Sequence, residues 1–319
     1  SPERIRRWAG EKRGEGQAVV EYTRAAALQG GEEEREGALG RAAPALRMVL
    51  VRNEENLGCA GGNNVAIQYA LRRKRPADYV FLLNNDATVE KDCLTHLVEV
   101  ARRAQAGIVG ATILDRNEGT ITFGGRTSLL RLFFTPLVSW RLPPPDGHGG
   151  YWPSFSGRAT GMLIGAETLQ AVYAATGEYL ESRLFMYAEE EALCYAAAKA
   201  GKSTYVASAA RVHHRGPRRR ERGYNPPAYY YQTRNRVLLA RKILPPHWKL
   251  LFHLVNGPLV LWATMKRGLR LEGNAALAML CGLADGYRGI SGKWKHHDRW
   301  LLCPERKPAG MPPGKKTQG

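Results

Sequence analysis

The feature that most narrows the fold is a repeating alternation of short apolar runs with amphipathic ones. MVLVRN (48–53) is followed by a Gly/Asn-rich loop, NLGCAGGNN (56–64), and then by VAIQYALRR (65–73), whose apolar residues fall at helical spacing. DYVFLL (78–83) is a continuous apolar run suited to a strand buried on both faces. Behind it, Leu94, Leu97, Val98 and Ala101 recur at i, i+3, i+4 and i+7. GIVGATIL (107–114) is a third such run. Strand, loop and helix units of this length predict an α/β fold: a mostly parallel sheet with right-handed crossovers, flanked by helices.

The same reading places a strand at GMLIG (161–165), a helix over 166–175, a helix from Glu189 that closes at Gly201, and a strand over STYVASAARVHH (203–214). Gly201 suits the residue after a helix because it adopts a left-handed conformation without a Cβ penalty. Residues 3–9 read as helical and 10–45 as a long polar insertion. Residues 245–290 read as short helices broken by Gly and Pro, and 304–319 as a disordered tail.

Of the 319 residues, 44% are hydrophobic and 24% charged, which excludes a mainly disordered or fibrous chain. The 47 Lys and Arg against 29 Asp and Glu give a net charge of +18, which points to an anionic partner: a phosphorylated substrate, nucleic acid or an acidic lipid surface. Five scattered cysteines without a CxxC pair suit a reducing compartment. The apolar stretch from Leu250 to Met265 is short for a bilayer span and contains His253, Asn256 and Pro258, so it reads as buried or interfacial. A transmembrane segment is the alternative reading, because Lys266, Arg267 and Arg270 follow directly, where a headgroup layer would lie.

Four segments carry polar groups suited to chemistry. DYVFLL runs straight into Asn84, Asn85 and Asp86, where the strand reaches its C-terminal edge. Open α/β sheets bind ligands at such edges, and an Asp there is either a hard oxygen ligand for Mg²⁺ or Mn²⁺ or the cap of the next helix. The NLGCAGGNN glycines let a ligand approach the backbone, or simply make a tight turn. Their spacing is neither that of a dinucleotide fingerprint nor that of a P-loop. Glu189, Glu190 and Glu191 open a helix, either as a solvated first turn or as a tuned general base. His213 and His214 end a strand and precede GPRRRERG, so they border a basic edge.

In this order the segments resemble an inverting family 2 glycosyltransferase of the GT-A (Rossmann-like) fold, most like the rhamnosyltransferase-type members that build bacterial surface polysaccharides. NLGCAGGNN resembles the family's N-x-G-F-A-x-G-x-N, and LLNND its metal-binding DxD. FMYAEEEALC resembles its F-x-Y-x-E-D-x-D-L, and ARVHH and YYYQTRN resemble its V-x-H and R-N. The resemblance covers about residues 48–240 and implies a glycosyltransferase domain over 1–240, followed by a helical, membrane-associated region over 241–303.

By that resemblance Asp86 and His214 hold a divalent metal, Mg²⁺ or Mn²⁺, on the donor diphosphate. Asn56, Gly58, Gly61, Asn64, Asn84, Asn85, Arg234 and Asn235 belong to the nucleotide-sugar pocket. Glu190 stands at the family's catalytic Asp position, one methylene longer, with Glu189 and Glu191 as alternatives; Ala192 replaces a second acid and Ala196 an Arg. The implied partners are a nucleotide-sugar donor, a lipid-linked or polysaccharide acceptor, and the anionic inner face of the cell membrane. In the family a strand, a nucleotide-binding loop and a second strand precede the segment resembling PERIRRWA, so the resemblance also implies a front that this sequence does not contain.

Two other readings compete. A nucleic-acid binder would use RGPRRRERG with Tyr224 and Tyr229 to Tyr231 for phosphate contact and stacking, although no nucleic-acid fold signature accompanies the patch. A catalytically inactive donor-binding homologue would fit the Glu190 replacement.

Overall fold

The computed structural model describes residues 3–5, 7, 19–42, 48–126, 150–214, 225–269 and 272–298. The expected tail, all of RGPRRRERG with Tyr224, Arg6, Trp8 and Ala9 of the helix over 3–9, and Cys303 lie outside them.

The described chain opens with strand β1 (Val19–Thr23), helices α1 (Arg24–Leu28) and α2 (Glu33–Ala42), and strand β2 (Met48–Arg52). Of the region read as a polar insertion, residues 19–42 are built structure: β1 pairs in parallel with β2, with Val20 and Tyr22 buried on alternate positions. Buried Glu36 ties this unit to the next helix, α3 (Gly58–Arg72). Its Oε1 accepts from the Tyr22 hydroxyl at 3.0 Å and the Tyr69 hydroxyl at 2.8 Å, and Arg73 pairs with its other oxygen.

Then follow β3 (Tyr79–Leu83), β4 (Ala87–Val89), α4 (Cys93–Arg103), β5 (Ile108–Asp115), β6 (Ile121–Phe123), β7 (Tyr151–Pro153), β8 (Gly161–Gly165), α5 (Ala166–Thr176), α6 (Glu189–Lys199) and β9 (Thr204–His214). The α/β class and the flanking helices are as expected; the sheet is not mostly parallel. The large sheet runs β3-β8-β5-β9-β4, with β6 beside β5 and β7 beside β9, and only β5–β9 pairs in parallel. β8 enters antiparallel between β3 and β5, an order that local periodicity does not encode.

Period-two alternation sorts the core onto the two faces. Ile108, Met162 and Ile164 join Ile67, Leu169 and Leu193 on one side, whereas Val109, Leu163 and Val206 join Leu97 and Val100 on the other. Helices cover both faces, which is why every residue of β5 is buried.

Three helices complete the description: α7 (Pro226–Ile243), α8 (Pro246–Leu269) and α9 (Gly273–Arg288). α8 is one 24-residue helix running through Pro258, where the sequence reads as short helices broken by Gly and Pro. α9 lies close along α7 because Gly282 and Gly286 sit against its backbone. A Cβ on Gly282 would fall 2.4 Å from the Tyr230 carbonyl oxygen, and one on Gly286 3.0 Å from that of Arg234.

Candidate active site

The C-terminal end of β3 delivers Asn84 and Asp86 to the end of β9. Antiparallel pairing sets Ala87 opposite His214, so Asp86 Oδ1 lies 3.1 Å from His214 Nε2. Asn84 Nδ2 reaches Thr160 Oγ1 at 3.3 Å and His214 Nε2 at 3.5 Å. The adjacent histidine faces elsewhere: His213 Nε2 meets Glu90 Oε1 at 3.0 Å. An irregularity in β9 prepares this placement, since the register with β5 jumps from Ala111↔Ala207 to Thr112↔Arg211. Asp86 does not cap the following helix, whose N-cap is Asp92.

Asp86 and His214 offer one carboxylate and one imidazole. Among the described residues no group of three or more His, Cys, Asp or Glu converges as a metal site. Two protein ligands fit Mg²⁺ or Mn²⁺ that takes its remaining ligands from a phosphate group and water, and not a closed protein cage.

Glu189, Glu190 and Glu191 are all buried at the start of α6, 3%, 5% and 3% exposed, so this is not a solvated first turn. Successive helix positions splay them. Glu190 Oε1 meets Arg158 Nη1 at 3.4 Å, Glu191 Oε1 meets Arg126 Nη2 at 3.5 Å, and Glu189 lies against the Cys59 thiol. Burial pushes the Glu190 carboxyl well above the usual carboxylate range; the charges of Glu191 and Glu189 push the same way, and Arg158 opposes them. Burial raises Glu189 as well. Arg158 lies two residues before Thr160, the partner of Asn84, so the carboxylates and the Asp86 edge belong to one end of the sheet.

The turn ahead of these carboxylates is strained. Phe185, Tyr187 and Ala188 have φ of 66°, 65° and 72°, a region that costs non-glycine residues about 1–3 kcal/mol each. Asn235 holds it: its Nδ2 lies 2.9, 2.8 and 2.7 Å from the carbonyl oxygens of Leu184, Met186 and Tyr187. Arg234 donates to Leu184 O at 2.9 Å, Gly292 O at 2.6 Å and Asn235 Oδ1 at 2.8 Å, between the rings of Tyr230 and Tyr231. Arg234 and Asn235 are completely buried, and the bonds they make are to backbone carbonyls and to each other.

The NLGCAGGNN loop braces the same turn. Gly58 has φ +72°, and a Cβ there would meet the Phe185 carbonyl oxygen at 2.3 Å; Asn56 Oδ1 accepts from the Gly58 amide at 3.0 Å. Gly61 packs against Leu57, and Asn64 exchanges two 2.8 Å hydrogen bonds with the backbone of Leu180. Of the residues expected in the donor pocket, Gly58 and Asn64 pack α3 against residues 180–185, and Gly61 lies against Leu57 at the start of α3 itself. Asn85 lies in the turn beside Asp86. Tyr230 stacks on Trp294 with centroids 4.3 Å apart and Tyr231 on Phe185 at 5.3 Å, so neither is free to stack on a base.

Sequence reasoning missed Arg126, Arg158 and Thr160. Each lies in irregular chain between strands, where no periodicity marks it, and only the fold brings them to the carboxylates.

Residues 41–156 match the family model Glycosyl transferase family 2. That span contains Asn84, Asn85, Asp86 and Arg126 and ends before the α6 carboxylates. No curated protein matches the chain. Among solved structures it is similar to the mannosyltransferase PcManGT from Pyrobaculum calidifontis in complex with GDP-Man and Mn²⁺, at 14% identity and TM-score 0.44, covering 93% of this chain and 78% of that one. It is also similar to GalNAc-T7 with UDP, GalNAc and Mn²⁺, at 15% identity and TM-score 0.39 over 57% of this chain, and it spans only 34% of that protein's length. A third, S. aureus TarS, has 10% identity and TM-score 0.37, with 72% and 67% covered.

Proposed function

We propose that the chain is a metal-assisted, inverting glycosyltransferase that takes a sugar from a nucleoside-diphosphate donor. The observation that carries this reading is the convergence of a two-residue metal edge, Asp86 and His214, with a buried carboxylate of raised proton affinity, Glu190, at one end of the sheet. The family match over 41–156 supports it.

Asp86 and His214 would hold the divalent cation, which offsets negative charge on the departing nucleoside diphosphate. Glu190, of the three carboxylates, pairs with Arg158, whose side chain is 37% exposed and opens toward solvent. In its ionised form Glu190 accepts the proton of the acceptor hydroxyl. The hydroxyl oxygen forms its bond to the anomeric carbon as the bond from that carbon to the diphosphate oxygen breaks, the electron pair leaving with the diphosphate; attack opposite the leaving group inverts the centre. The turn held by Asn235 and Gly58 fixes where that carboxylate starts.

The acceptor in this reading is lipid-linked or a surface polysaccharide, reached at an anionic membrane surface, with rhamnose as the sugar that the resemblance favours. No helix among the described residues is long and apolar enough to cross a membrane. α8 instead exposes Leu250, Leu254, Leu261, Trp262, Met265 and Leu269, each more than half exposed, and contains no Asp or Glu. Lys266 lies 5.1 Å from the Trp262 ring centroid. Acidic headgroups would satisfy Lys249 and Lys266, which α8 itself gives no acid to pair with.

The test is transfer and donor hydrolysis with UDP-, GDP- and dTDP-sugars, dTDP-rhamnose included, with and without Mn²⁺. Turnover of one donor that needs metal and falls at least a hundredfold in both Asp86→Ala and Glu190→Gln is expected. Turnover indifferent to both substitutions would overturn the reading.

A further inference from the structure

The segment that follows α9 has no part in the mechanism above, yet it closes on the turn that carries the carboxylates. Within residues 290–298, Trp294 and His297 are buried, each 4% exposed, while Lys293, Lys295 and Asp298 face water. The Gly292 amide donates to the Arg183 carbonyl oxygen at 2.6 Å, and the Gly292 carbonyl accepts from Arg234 Nη1 at 2.6 Å. Arg234 Nη2 donates to Leu184 O at 2.9 Å, so one buried guanidinium ties this segment to the turn. Trp294 stacks on Tyr230 at 4.3 Å, and its amide donates to the Tyr231 hydroxyl at 2.8 Å. The same hydroxyl lies 3.3 Å from His297 Nδ1. Tyr231 stacks on the Phe185 ring with centroids 5.3 Å apart, and His297 stands edge-on to that ring, also at 5.3 Å.

Phe185 begins the left-handed turn, with φ of 66°. A non-glycine residue keeps such a conformation only where its surroundings over-determine it. Asn235 takes the carbonyls of Leu184, Met186 and Tyr187, and α3 takes that of Phe185, through the Ala60 amide at 3.3 Å. The Phe185 side chain is restrained by rings instead, and one of them, His297, comes from the segment after α9. We infer that residues 290–298 are a clasp on this turn, and that Trp294 and His297 are positioning residues for the α6 carboxylates, acting on Glu190 through Phe185 without touching donor or acceptor. They fall in the helical region that the sequence sets apart from the transferase domain, so the clasp makes that region part of the site and not an appendage. Its role in turnover rests on the proposed transferase reading; its hold on the turn does not.

The test compares the full chain with Trp294→Ala, Trp294→Phe and Tyr231→Phe. The last keeps a ring on Phe185 and removes only the hydroxyl that meets both Trp294 and His297. Hydrogen exchange followed by mass spectrometry reads peptides over 184–192 against those over β5, and donor turnover gives kcat and KM. Relative to β5, exchange over 184–192 is expected to quicken about tenfold in Trp294→Ala and about threefold in Tyr231→Phe, and to stay near wild type in Trp294→Phe. In the same order kcat should fall, about tenfold in Trp294→Ala, while the donor KM stays within about twofold because the metal edge is untouched. Exchange over 184–192 that rises no more than that of β5 overturns the clasp, and a loss of turnover carried by KM alone overturns the positioning role. Where Trp294→Ala fails to fold, Tyr231→Phe decides by the same criteria. If the wild-type chain turns over no donor, the transferase reading fails, and the exchange result still decides the clasp.

Discussion

The side-chain nitrogen of Asn235 lies 2.7 Å from the carbonyl oxygen of Tyr187, a residue with φ of 65°. A completely buried amide on α7 thus holds a left-handed turn two residues ahead of the first α6 carboxylate. The position of Glu190 depends on helix-to-turn bonds that never touch a substrate.

Asn235→Ala removes the donor from the Met186 and Tyr187 carbonyls, whereas the Leu184 carbonyl keeps Arg234. Each unmet group costs about 1–3 kcal/mol, partly relieved by rearrangement, so a net loss of about 3 kcal/mol is expected in urea unfolding. Catalytic rate should fall more than donor affinity, because the turn positions the carboxylates and not the metal edge.

Gly58→Ala introduces a Cβ 2.3 Å from the Phe185 carbonyl oxygen at a residue whose φ is +72°. The obstacle is backbone and cannot swing aside, so a loss of about 2 kcal/mol or more is expected in thermal or denaturant unfolding. Gly62→Ala, which meets nothing within 4 Å, is the control and should remain near wild type.

Glu190 gives stability a pH dependence of known sign. Its folded carboxyl binds a proton more tightly than the unfolded one, because burial and then Glu191 and Glu189 raise it. Its contribution is fully present below the unfolded value of 4.5 and is lost as pH rises through the folded value. Glu190→Gln, which cannot ionise, should flatten that decline in an unfolding series from pH 4 to 8 and be more stable than wild type at the upper end. The same substitution should reduce transfer by about 10²–10⁴-fold, the usual contribution of a general base.

Vesicle co-sedimentation tests the α8 face. Vesicles with a third of acidic lipid should bind the chain and neutral ones should not, and 0.5 M salt should release it. Leu254→Glu with Trp262→Glu removes two residues that are 65% and 55% exposed and should abolish binding without lowering the melting temperature. Retained binding by this double variant would remove α8 as the docking face.

Much of this arrangement is legible in the sequence, and the rest is missing for physical reasons. β3, β5 and β8 are short apolar runs whose composition suffices to mark them, and Gly201 ends α6 with φ +74° as its identity suggests. β1 was hidden because VVEYT buries only Val20 and Tyr22, and its flanks are rich in charge. The antiparallel entry of β8 is a long-range choice of neighbour that no local period records. Asp86 and His214 stand out as polar residues at strand ends, and the structure brings them together. Arg234 and Asn235 carry polar groups that suit ligand binding and backbone bracing equally; only their complete burial distinguishes the two. Arg158 lies in a loop, and its pairing with Glu190 spans 32 residues.

The central claim is that Asp86 and His214 join a divalent cation to a nucleoside diphosphate. Its most direct test is Mn²⁺ binding followed by electron paramagnetic resonance, with and without UDP or GDP, in wild type and Asp86→Ala. The account predicts that one nucleotide tightens Mn²⁺ binding at least tenfold in wild type and that Asp86→Ala abolishes the effect. Equal Mn²⁺ binding by the two proteins, with or without nucleotide, would contradict it.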